Sequence, residues 1–375
     1  MTALTTTKFD TTPVRAGFSF DESGLVRWMK ANVAGFSGPL KVEQFNGGQS
    51  NPTYKLTTLE KAYVLRRKPS GALLKGAHAI DREVRVLSAL ERANFPVPHV
   101  YGLCEDSSVI GSAFYVMDLV EGRIFWTATL PELSMAERPA YFDEMNTVLA
   151  RLHRLQPEAV GLDDFGRPGN YFDRQIARWS RQYLDDVEAS RDPNMDRLIE
   201  WLPANIPDDD DRHSIVHGDY RIDNVIFHPH EPKILAVLDW ELSTLGHPFS
   251  DFAYNAMMYR MPSHIVAGLK GANLTALNIP TEEQYLAAYC RHMGLESMPG
   301  YDFYITFNFF RLAAIYHGIK GRMIRGTASS ALAKERAAVL PELMELAWQQ
   351  AARAEAKSSG ARPDDGRGYA ENKPL

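Results

Sequence analysis

The residues best suited to chemistry lie in two short segments in the middle of the chain. The first segment is His217-Gly-Asp-Tyr-Arg-Ile-Asp-Asn224, in which Asp219 and Asn224 are five positions apart on a predicted loop. The second is Val237-Leu-Asp-Trp-Glu241, in which Asp239 ends an apolar strand. Phosphoryl transfer from a nucleotide needs a carboxylate at the acceptor hydroxyl, and an amide oxygen with a second carboxylate to hold Mg²⁺. The segments therefore predict Asp219 as the catalytic base or orienting group, and Asn224 and Asp239 as metal ligands.

The two segments match the protein-kinase pattern H-R-D-x-x-x-x-N followed by D-F-G, with two differences. Gly218 replaces the middle Arg, and Asp239-Trp-Glu241 stands where D-F-G is expected. An H-G-D-x-x-x-x-N match arises by chance in about one of several hundred chains of this length at typical residue frequencies. The alternative, a tight turn followed by a strand-end cap, is therefore the weaker interpretation.

The elements that must position these residues begin with strands. A Gly-rich turn, Asn46-Gly-Gly-Gln-Ser-Asn-Pro52, separates two short strands and predicts a hairpin. A third strand is predicted over residues 62–67, and apolar residues at helical spacing predict a helix over 79–93. Further strands at 101–104 and 113–120 complete this section.

After Arg123 the pattern is helical, with one interruption. Two short apolar runs, residues 224–227 and 234–238, have the spacing of a small hairpin. Helices are predicted over residues 135–155, 173–188, 303–323 and 330–356, and from near Asp251 and Thr281. The predicted class is α+β, with a small antiparallel-sheet lobe before a larger helical lobe. The predicted segments are a flexible leader (1–19), an N-lobe (20–120), a C-lobe (121–356) and a disordered tail (357–375).

Composition limits the classes of function. The chain has 375 residues, of which 45% are hydrophobic and 23% charged, and its formal net charge is −6. A protein that neutralises many phosphates is normally basic, so we expect no nucleic-acid partner. No stretch approaches the roughly 18 uninterrupted apolar residues of a membrane span, so we expect no membrane partner. Only Cys104 and Cys290 are present, which favours a reducing compartment, and the N-terminus lacks a signal pattern. A cytoplasmic location is the expectation.

The sequence resembles the aminoglycoside phosphotransferase/choline-kinase family, from about Val42 to about Arg325. Within that family it is most similar to the kinase-like domain fused to acyl-CoA dehydrogenases. This closer resemblance is carried by Asn46-Gly-Gly-Gln-Ser-Asn-Pro-Thr-Tyr54, His78-Ala-Ile-Asp-Arg-Glu83 and the segment around Asp219. It implies a two-lobed protein-kinase-like fold that binds Mg·ATP between its lobes.

The resemblance also assigns nucleotide-binding roles in the N-lobe. Gly47, Gly48, Ser50 and Asn51 would form the loop over the phosphates, where Gly lets backbone N–H groups come close. The alternative is a simple turn. Val64 would pack on adenine, and Arg66 would bind phosphate oxygens where protein kinases use Lys. Lys68 lies on the same strand face as Arg66 and is the other candidate cation. Glu83 would pair with that cation.

Residues 114–120 resemble the strand that hinges the two lobes. Met117 would line the back of the adenine pocket, while the Asp118 carbonyl and the Val120 amide would contact the adenine edge. An ordinary interior strand is the alternative.

Four further positions carry expectations. His217 is expected to hold the catalytic loop by hydrogen bonds, and Arg221 to meet an anionic substrate group or lie at the surface. Asp251 would be a helix N-cap and loop anchor. The aromatic segment from Tyr301 to Arg311 is either a border of the acceptor site, with Arg322 and Arg325, or core.

Together these features predict an enzyme, an ATP- and Mg²⁺-dependent phosphotransferase that acts on a hydroxyl of a small molecule. A hydroxyacyl compound, alone or as its CoA ester, is the acceptor that the closer resemblance implies. The alternatives are an aminoglycoside or choline-type kinase, and a kinase-like module that binds nucleotide without turnover. A protein kinase is disfavoured because no A-P-E-like segment follows Asp239.

Overall fold

The computed structural model describes residues 11–46, 51–69, 79–167, 169–208, 212–327 and 332–358. The chain divides into two units. The first consists of the described residues of Met1–Gly169 and Asp211–Met298, and the second of those of Asn170–Asp210 and Pro299–Leu375. The predicted lobe boundary after residue 120 therefore falls inside the first unit.

The strands are short and the helices are long. In chain order the strands are Thr11–Thr12 (β1), Lys41–Phe45 (β2), Thr53–Thr57 (β3), Ala62–Arg67 (β4), Val100–Cys104 (β5), Phe114–Asp118 (β6), Ser214–Val216 (β7), Val225–Phe227 (β8), Ile234–Val237 (β9) and Thr244–Gly246 (β10). The α-helices are Glu22–Asn32 (α1), Ile80–Arg92 (α2), Arg138–Arg154 (α3), Tyr171–Asp185 (α4), Pro193–Ala204 (α5), Pro248–Ala256 (α6), Leu274–Leu277 (α7), Glu282–Met293 (α8), Tyr301–Ile324 (α9) and Ala333–Ser358 (α10).

The first unit contains a six-stranded antiparallel sheet with the order β1-β2-β3-β4-β6-β5. Alternation of side chains along β4 gives the sheet its two faces. Leu65 is fully buried in a core formed with Leu25 and Met29 of α1 and with neighbouring strand residues. Val64 and Arg66 point to the opposite face, where Val64 is opposite Met117 of β6. The sheet thus separates a hydrophobic core from a face that carries candidate functional residues.

Strand β1 differs from the prediction for the N-terminal segment. Thr11 and Thr12 pair with Phe45 and Gln44 of β2, although they lie in the predicted flexible leader. The pairing partner is distant in sequence, and two threonines have no periodicity by which it could be recognised. Residues 1–10 and 359–375, which include nearly all of the predicted disordered tail, lie outside the described part of the chain.

The predicted hairpin in the helical half is confirmed, since β8 pairs antiparallel with β9. A second small sheet, β7 with β10, was not predicted because each strand has three residues and they pair across a long connection. The two sheets bracket the segment from His217 to Asn224. They therefore hold the predicted catalytic loop at both of its ends.

The second unit consists of α4, α5, α9 and α10. Helix α5 was missed in the sequence, although Asp192 accepts hydrogen bonds from the N–H groups of Asn194 and Met195 and caps it. Helix α9 is buried almost throughout, and Phe307, Phe309 and Phe310 have no exposed surface. Arg311 is buried with them, and Arg325 pairs with Asp186. This segment packs as core, which is the alternative to the predicted acceptor-site border.

None of the described helices combines the length and the hydropathy that a bilayer crossing needs.

The core below the sheet gives a stability prediction. Replacing Leu65 with Ala removes a fully buried side chain and leaves a cavity, so we expect the free energy of unfolding to fall by about 2–5 kcal/mol. Leu59 is 88% exposed, and Leu59→Ala should change that free energy by less than about 0.5 kcal/mol. Urea unfolding followed by circular dichroism measures both variants. Equal losses would contradict the assignment of Leu65 to the core.

Candidate functional site

Arg66 is the centre of an ionic cluster that joins three separate parts of the first unit. Its Nη2 donates to Asp239 Oδ1 at 2.7 Å and to Glu241 Oε2 at 3.1 Å. Its Nε lies 3.1 Å from Glu83 Oε2 of α2. Burial alone would lower the pKa of Arg66, but Asp239, Glu83 and Glu241 hold it well above its ordinary value. Arg66 is therefore a permanent cation that connects β4, α2 and the segment after β9.

Glu83 is held in place from two further directions. Its Oε1 accepts a hydrogen bond from the Asn51 side chain at 3.0 Å, and its Oε2 accepts one from the Tyr115 hydroxyl at 2.9 Å. Burial raises the pKa of Glu83, while Arg66 and both hydrogen bonds oppose that rise. The expected pairing of Glu83 with Arg66 is confirmed. Lys68 lies elsewhere, 3.9 Å from Asp81.

A cavity of about 230 Å³ lies over this face of the sheet. Seven residues predicted to bind nucleotide or metal line it: Val64, Arg66, Met117, Asp118, Val120, Asn224 and Asp239. Most of the other lining side chains are apolar, including Phe45, Leu87, Ile226 and Trp240. We call this cavity the cleft. It has apolar walls suited to a flat ring and a charged end formed by Arg66 and Asp239.

Asn51 is predicted to bind nucleotide but does not line the cleft. Asn51 is fully buried and contacts Glu83, so it supports the ionic cluster. Gly47, Gly48 and Ser50 lie outside the described residues.

Asp118 lines the cleft, while its carboxylate accepts a hydrogen bond from the Tyr101 hydroxyl at 2.6 Å and pairs with Lys61 at 3.0 Å.

The predicted catalytic loop, residues 217–224, is held by the buried carboxylate of Asp251. The backbone N–H groups of His217 and Gly218 donate to its two oxygens at 2.7 and 2.8 Å, and His153 Nε2 lies 3.2 Å from Oδ2. Burial would raise the pKa of Asp251, but the contacts with His153 and His217 lower it below its ordinary value. The prediction that Asp251 anchors the loop is confirmed. The prediction that it is an N-cap is wrong, because His247 caps α6.

His217 has the structural role expected from its position. Its Nε2 donates to the Leu238 carbonyl at 2.8 Å, and its Nδ1 accepts from the Asp219 backbone N–H at 3.1 Å. The His217 ring thus connects the predicted catalytic loop with Leu238, the residue before Asp239. Asp239 itself has φ +66°, a left-handed conformation that Asp adopts more readily than most residues.

Asp219 is the point where the loop residues converge. Its Oδ2 accepts a hydrogen bond from Asn224 Nδ2 at 3.0 Å, and its Oδ1 accepts one from the Tyr254 hydroxyl at 2.5 Å. Arg221 Nε lies 3.6 Å from the same Oδ1. Because the Asn224 amide nitrogen faces Asp219, its amide oxygen is the atom that remains for a cation in the cleft.

Two contributors to this site were missed in the sequence. Glu241 was noted only as part of the segment that replaces D-F-G, yet it contacts Arg66 as Asp239 does. The sequence did offer one indication of its role, since Glu241 is a carboxylate two positions after Asp239, a candidate metal ligand. Tyr254 lies far from the catalytic loop in sequence, and no spacing rule identifies it.

The strands and helices, together with this arrangement of residues, form a protein-kinase-like phosphotransferase fold. Residues 41–304 match the family model described as the phosphotransferase enzyme family, APH. The chain belongs to this family. The predicted α+β, protein-kinase-like fold and the predicted family are both confirmed.

Three similar proteins differ in how closely they match the chain. Acyl-CoA dehydrogenase family member 10 of Mus musculus is 45% identical over 342 residues, which are 90% of this chain and 32% of that protein. The chain therefore spans about a third of that relative's length. A crystal structure from Ralstonia eutropha, provisionally named an aminoglycoside phosphotransferase, is 48% identical with a TM-score of 0.80, over 89% of this chain and 99% of that chain.

The third is a thermostable mutant of aminoglycoside phosphotransferase APH(4)-Ia, in a ternary complex with AMP-PNP and hygromycin B. It is 15% identical, with a TM-score of 0.57 over 88% of this chain and 98% of that chain. At this identity the similarity concerns the fold.

Gly218 gives a prediction about the loop. Its φ is +83°, and a Cβ there would lie 2.9 Å from the Leu242 carbonyl oxygen. Gly17 has φ +84° with nothing near its Cβ position, so it is a matched control. We expect Gly17→Ala to lower the free energy of unfolding by about 1 kcal/mol, because of φ alone. Gly218→Ala should lower it by a further ~1–3 kcal/mol, because the loop must also move away from Leu242. Equal losses in urea unfolding would show that the close approach is unimportant.

Proposed function

We propose that this chain is an ATP- and Mg²⁺-dependent phosphotransferase that transfers the γ-phosphoryl group to a hydroxyl of a small molecule. The observation that carries the proposal is the convergence of Asp219, Asn224 and Asp239. Asn224 and Asp239 line the cleft with Arg66, and Asn224 donates directly to Asp219. A carboxylate for the acceptor and an oxygen pair for the metal are the groups that this reaction requires.

In the proposed reaction the acceptor hydroxyl approaches Asp219. The hydroxyl oxygen bonds to the γ-phosphorus as the bond to the β–γ bridging oxygen breaks, and ADP leaves. Asp219 receives the hydroxyl proton. Tyr254 and Asn224 each hold one oxygen of Asp219, so the carboxylate is oriented before the substrate binds. Such prior orientation removes part of the entropic barrier to reaction.

The residues of the cleft fit a magnesium ion. Mg²⁺ prefers oxygen ligands, and it is commonly held by one or two carboxylates, substrate phosphates and water. Asp239 and the amide oxygen of Asn224 supply such a partial set of ligands. Among the described residues, no group of three His, Cys, Asp or Glu side chains could hold a metal ion. Three carboxyl groups surround the single guanidinium of Arg66, which favours an additional cation nearby. The ion would neutralise phosphate charge as the transfer proceeds.

Arg66 is proposed to bind the nucleotide phosphates. Its guanidinium is planar and always charged, and it can contact two oxygens at once. The apolar pair Val64 and Met117 would enclose the adenine, with the backbone of Asp118 and Val120 at its edge. AMP-PNP in the complex of the similar fold supports ATP as the donor.

The proposed acceptor is a hydroxylated acyl compound, alone or as its CoA ester. Support comes from the sequence similarity to a protein named acyl-CoA dehydrogenase family member 10. A module that binds nucleotide without turnover is the less favoured function, because Asp219 and Asp239 are both present. We also propose a cytoplasmic location, which suits the two buried cysteines that form no disulfide.

Removal of the proposed metal ligand gives the first functional prediction. Asp239→Asn keeps the side-chain volume but replaces the anionic oxygen, so ATP binding should weaken and lose its dependence on Mg²⁺. Titration calorimetry with and without Mg²⁺ measures this dependence. The control is Asp163→Asn, a change at an exposed position that should leave ATP binding unchanged. Full Mg²⁺-dependent ATP binding by Asp239→Asn would exclude Asp239 as a ligand.

A change at Asp219 separates binding from chemistry. Asp219→Asn should keep the Kd for ATP within a few-fold, because the carboxylate faces the acceptor. It should lower kcat by about 10²–10⁴-fold, the range typical of general acid–base groups. Coupled measurement of ADP release with a panel of hydroxylated metabolites gives kcat. Unchanged turnover would mean that another group receives the proton.

A further inference from the structure

The carboxylate of Asp118, at the end of β6, lies on the face of the sheet away from the cleft. Met117 lines the cleft, so the alternation of side chains places that of Asp118 on the opposite face. Tyr63, its partner on β4, belongs to the hydrophobic core on that face. The backbone of Asp118 therefore borders the cleft, while its carboxylate makes its contacts behind the sheet.

Two side chains from the neighbouring strands meet this carboxylate. The Tyr101 hydroxyl of β5 donates to Asp118 Oδ1 at 2.6 Å, and Nζ of Lys61, the residue before β4, lies 3.0 Å from the same oxygen. Lys61 Nζ also donates to the Tyr101 hydroxyl. Because β6 lies between β4 and β5 in the sheet, the carboxylate is held from both sides. We call Lys61, Tyr101 and Asp118 the Asp118 cluster.

An irregularity in β5 brings Tyr101 to this cluster. The pairing of β5 with β6 shifts register between Val100 and Gly102, and such a β-bulge can redirect a side chain. Gly102 faces the core, since a Cβ there would lie 3.2 Å from the Trp28 ring. Tyr101 also packs against that core, although in a regular strand two consecutive residues face opposite sides. The bulge therefore allows the Tyr101 hydroxyl to reach Asp118.

The charges of the cluster suit a fixed contact at the surface. The contacts with Tyr101 and Asp118 raise the pKa of Lys61, so Lys61 stays a cation. Burial and the hydrogen bond to Asp118 raise the pKa of Tyr101, so its hydroxyl stays a neutral donor. Because the Lys61 side chain is 48% exposed, water screens the ion pair, which then adds little to folding stability. The main effect of the cluster is to limit the movement of Asp118.

We infer that the Asp118 cluster makes the cleft select adenine over guanine nucleotides, by fixing the backbone that contacts the edge of the base. The inference rests on the proposed function, in which the backbone of Asp118 and Val120 contacts adenine. Adenine presents an amino donor where guanine presents a carbonyl acceptor. A fixed backbone group that pairs with one of them is left unpaired by the other, whereas a mobile backbone can adjust to both.

Lys61 and Tyr101 act through Asp118 in this inference. Neither is among the described residues that line the cleft, so they are positioning residues. Their loss should therefore change the recognition of the base and leave the binding of the phosphates unchanged.

A double variant tests the selectivity. Tyr101→Phe keeps the ring without its hydroxyl, and Lys61→Met keeps an unbranched chain without its charge. In the wild-type chain the Kd for Mg·GTP should exceed that for Mg·ATP by at least about tenfold. This ratio should fall by about fivefold or more in the double variant, since one hydrogen bond corresponds to that factor. Titration calorimetry measures each Kd.

Lys41→Met is the matched control for this experiment. It removes an exposed lysine of the same sheet, which pairs with Glu43 at 3.2 Å, and it should keep the wild-type ratio. A wild-type chain that binds both nucleotides equally, or an unchanged ratio in the double variant, would overturn the inference.

A ligand without a base separates positioning from general damage. Mg·tripolyphosphate carries phosphates alone, and its Kd should be the same in the wild-type chain and in the double variant, because Arg66 and Asp239 are intact. The Kd for Mg·ATP should rise by about fivefold. Retained tripolyphosphate binding would also show that the variant is folded. An equal rise for both ligands would overturn the inference.

The inference and the proposed function fail in different ways. If the wild-type chain phosphorylates an acceptor with ATP but the double variant keeps the nucleotide ratio, the inference is wrong and the proposed function stands. If the ratio falls in the double variant but no hydroxylated metabolite is phosphorylated, the inference stands and the phosphotransferase function is wrong.

Discussion

The contact of Arg66 with three carboxylates is the interaction on which the rest of the site depends. Glu83 comes from α2, whereas Asp239 and Glu241 come from the segment after β9, and without a cation their negative charges would repel one another. Burying several charges is tolerated only when they are paired and hydrogen-bonded. The cluster therefore fixes the sheet, α2 and the residues after β9 relative to one another within the first unit. That arrangement places the apolar wall of the cleft beside its charged end.

The predicted catalytic loop depends on a different interaction, in which a buried carboxylate accepts hydrogen bonds from backbone N–H groups. Asp251 accepts the N–H groups of His217 and Gly218, while His217 contacts the carbonyl before Asp239. Gly218 permits the close approach to Leu242 that a side chain would prevent. The loop geometry is thus set by contacts that leave the side chain of Asp219 available. Its two oxygens are then oriented by Asn224 and Tyr254.

Much of the site follows from local patterns. The spacing of Asp219, Asn224 and Asp239 predicts their shared role, because motif residues on one loop and at one strand end must lie near one another. Strand alternation places Val64 and Arg66 on one face, and the hairpin β8–β9 follows from two apolar runs. The placement of these residues was predictable because the relevant contacts are close in sequence or fixed by the period of a strand. The roles of Asp219, Asn224 and Asp239 stay predictions.

Other features depend on contacts between residues that are distant in sequence. No local sequence pattern predicts the strand β1, the pair β7–β10, or the contacts of Glu241 and Tyr254 in the site. The aromatic residues of α9 resemble a ligand-binding surface in the sequence but are buried in the second unit. By itself the sequence determined the family, the fold class and many of the elements, since these depend on residue types and short spacings. Only the tertiary structure decided which apolar residues are core and which line a cavity, because burial depends on what packs against each side chain.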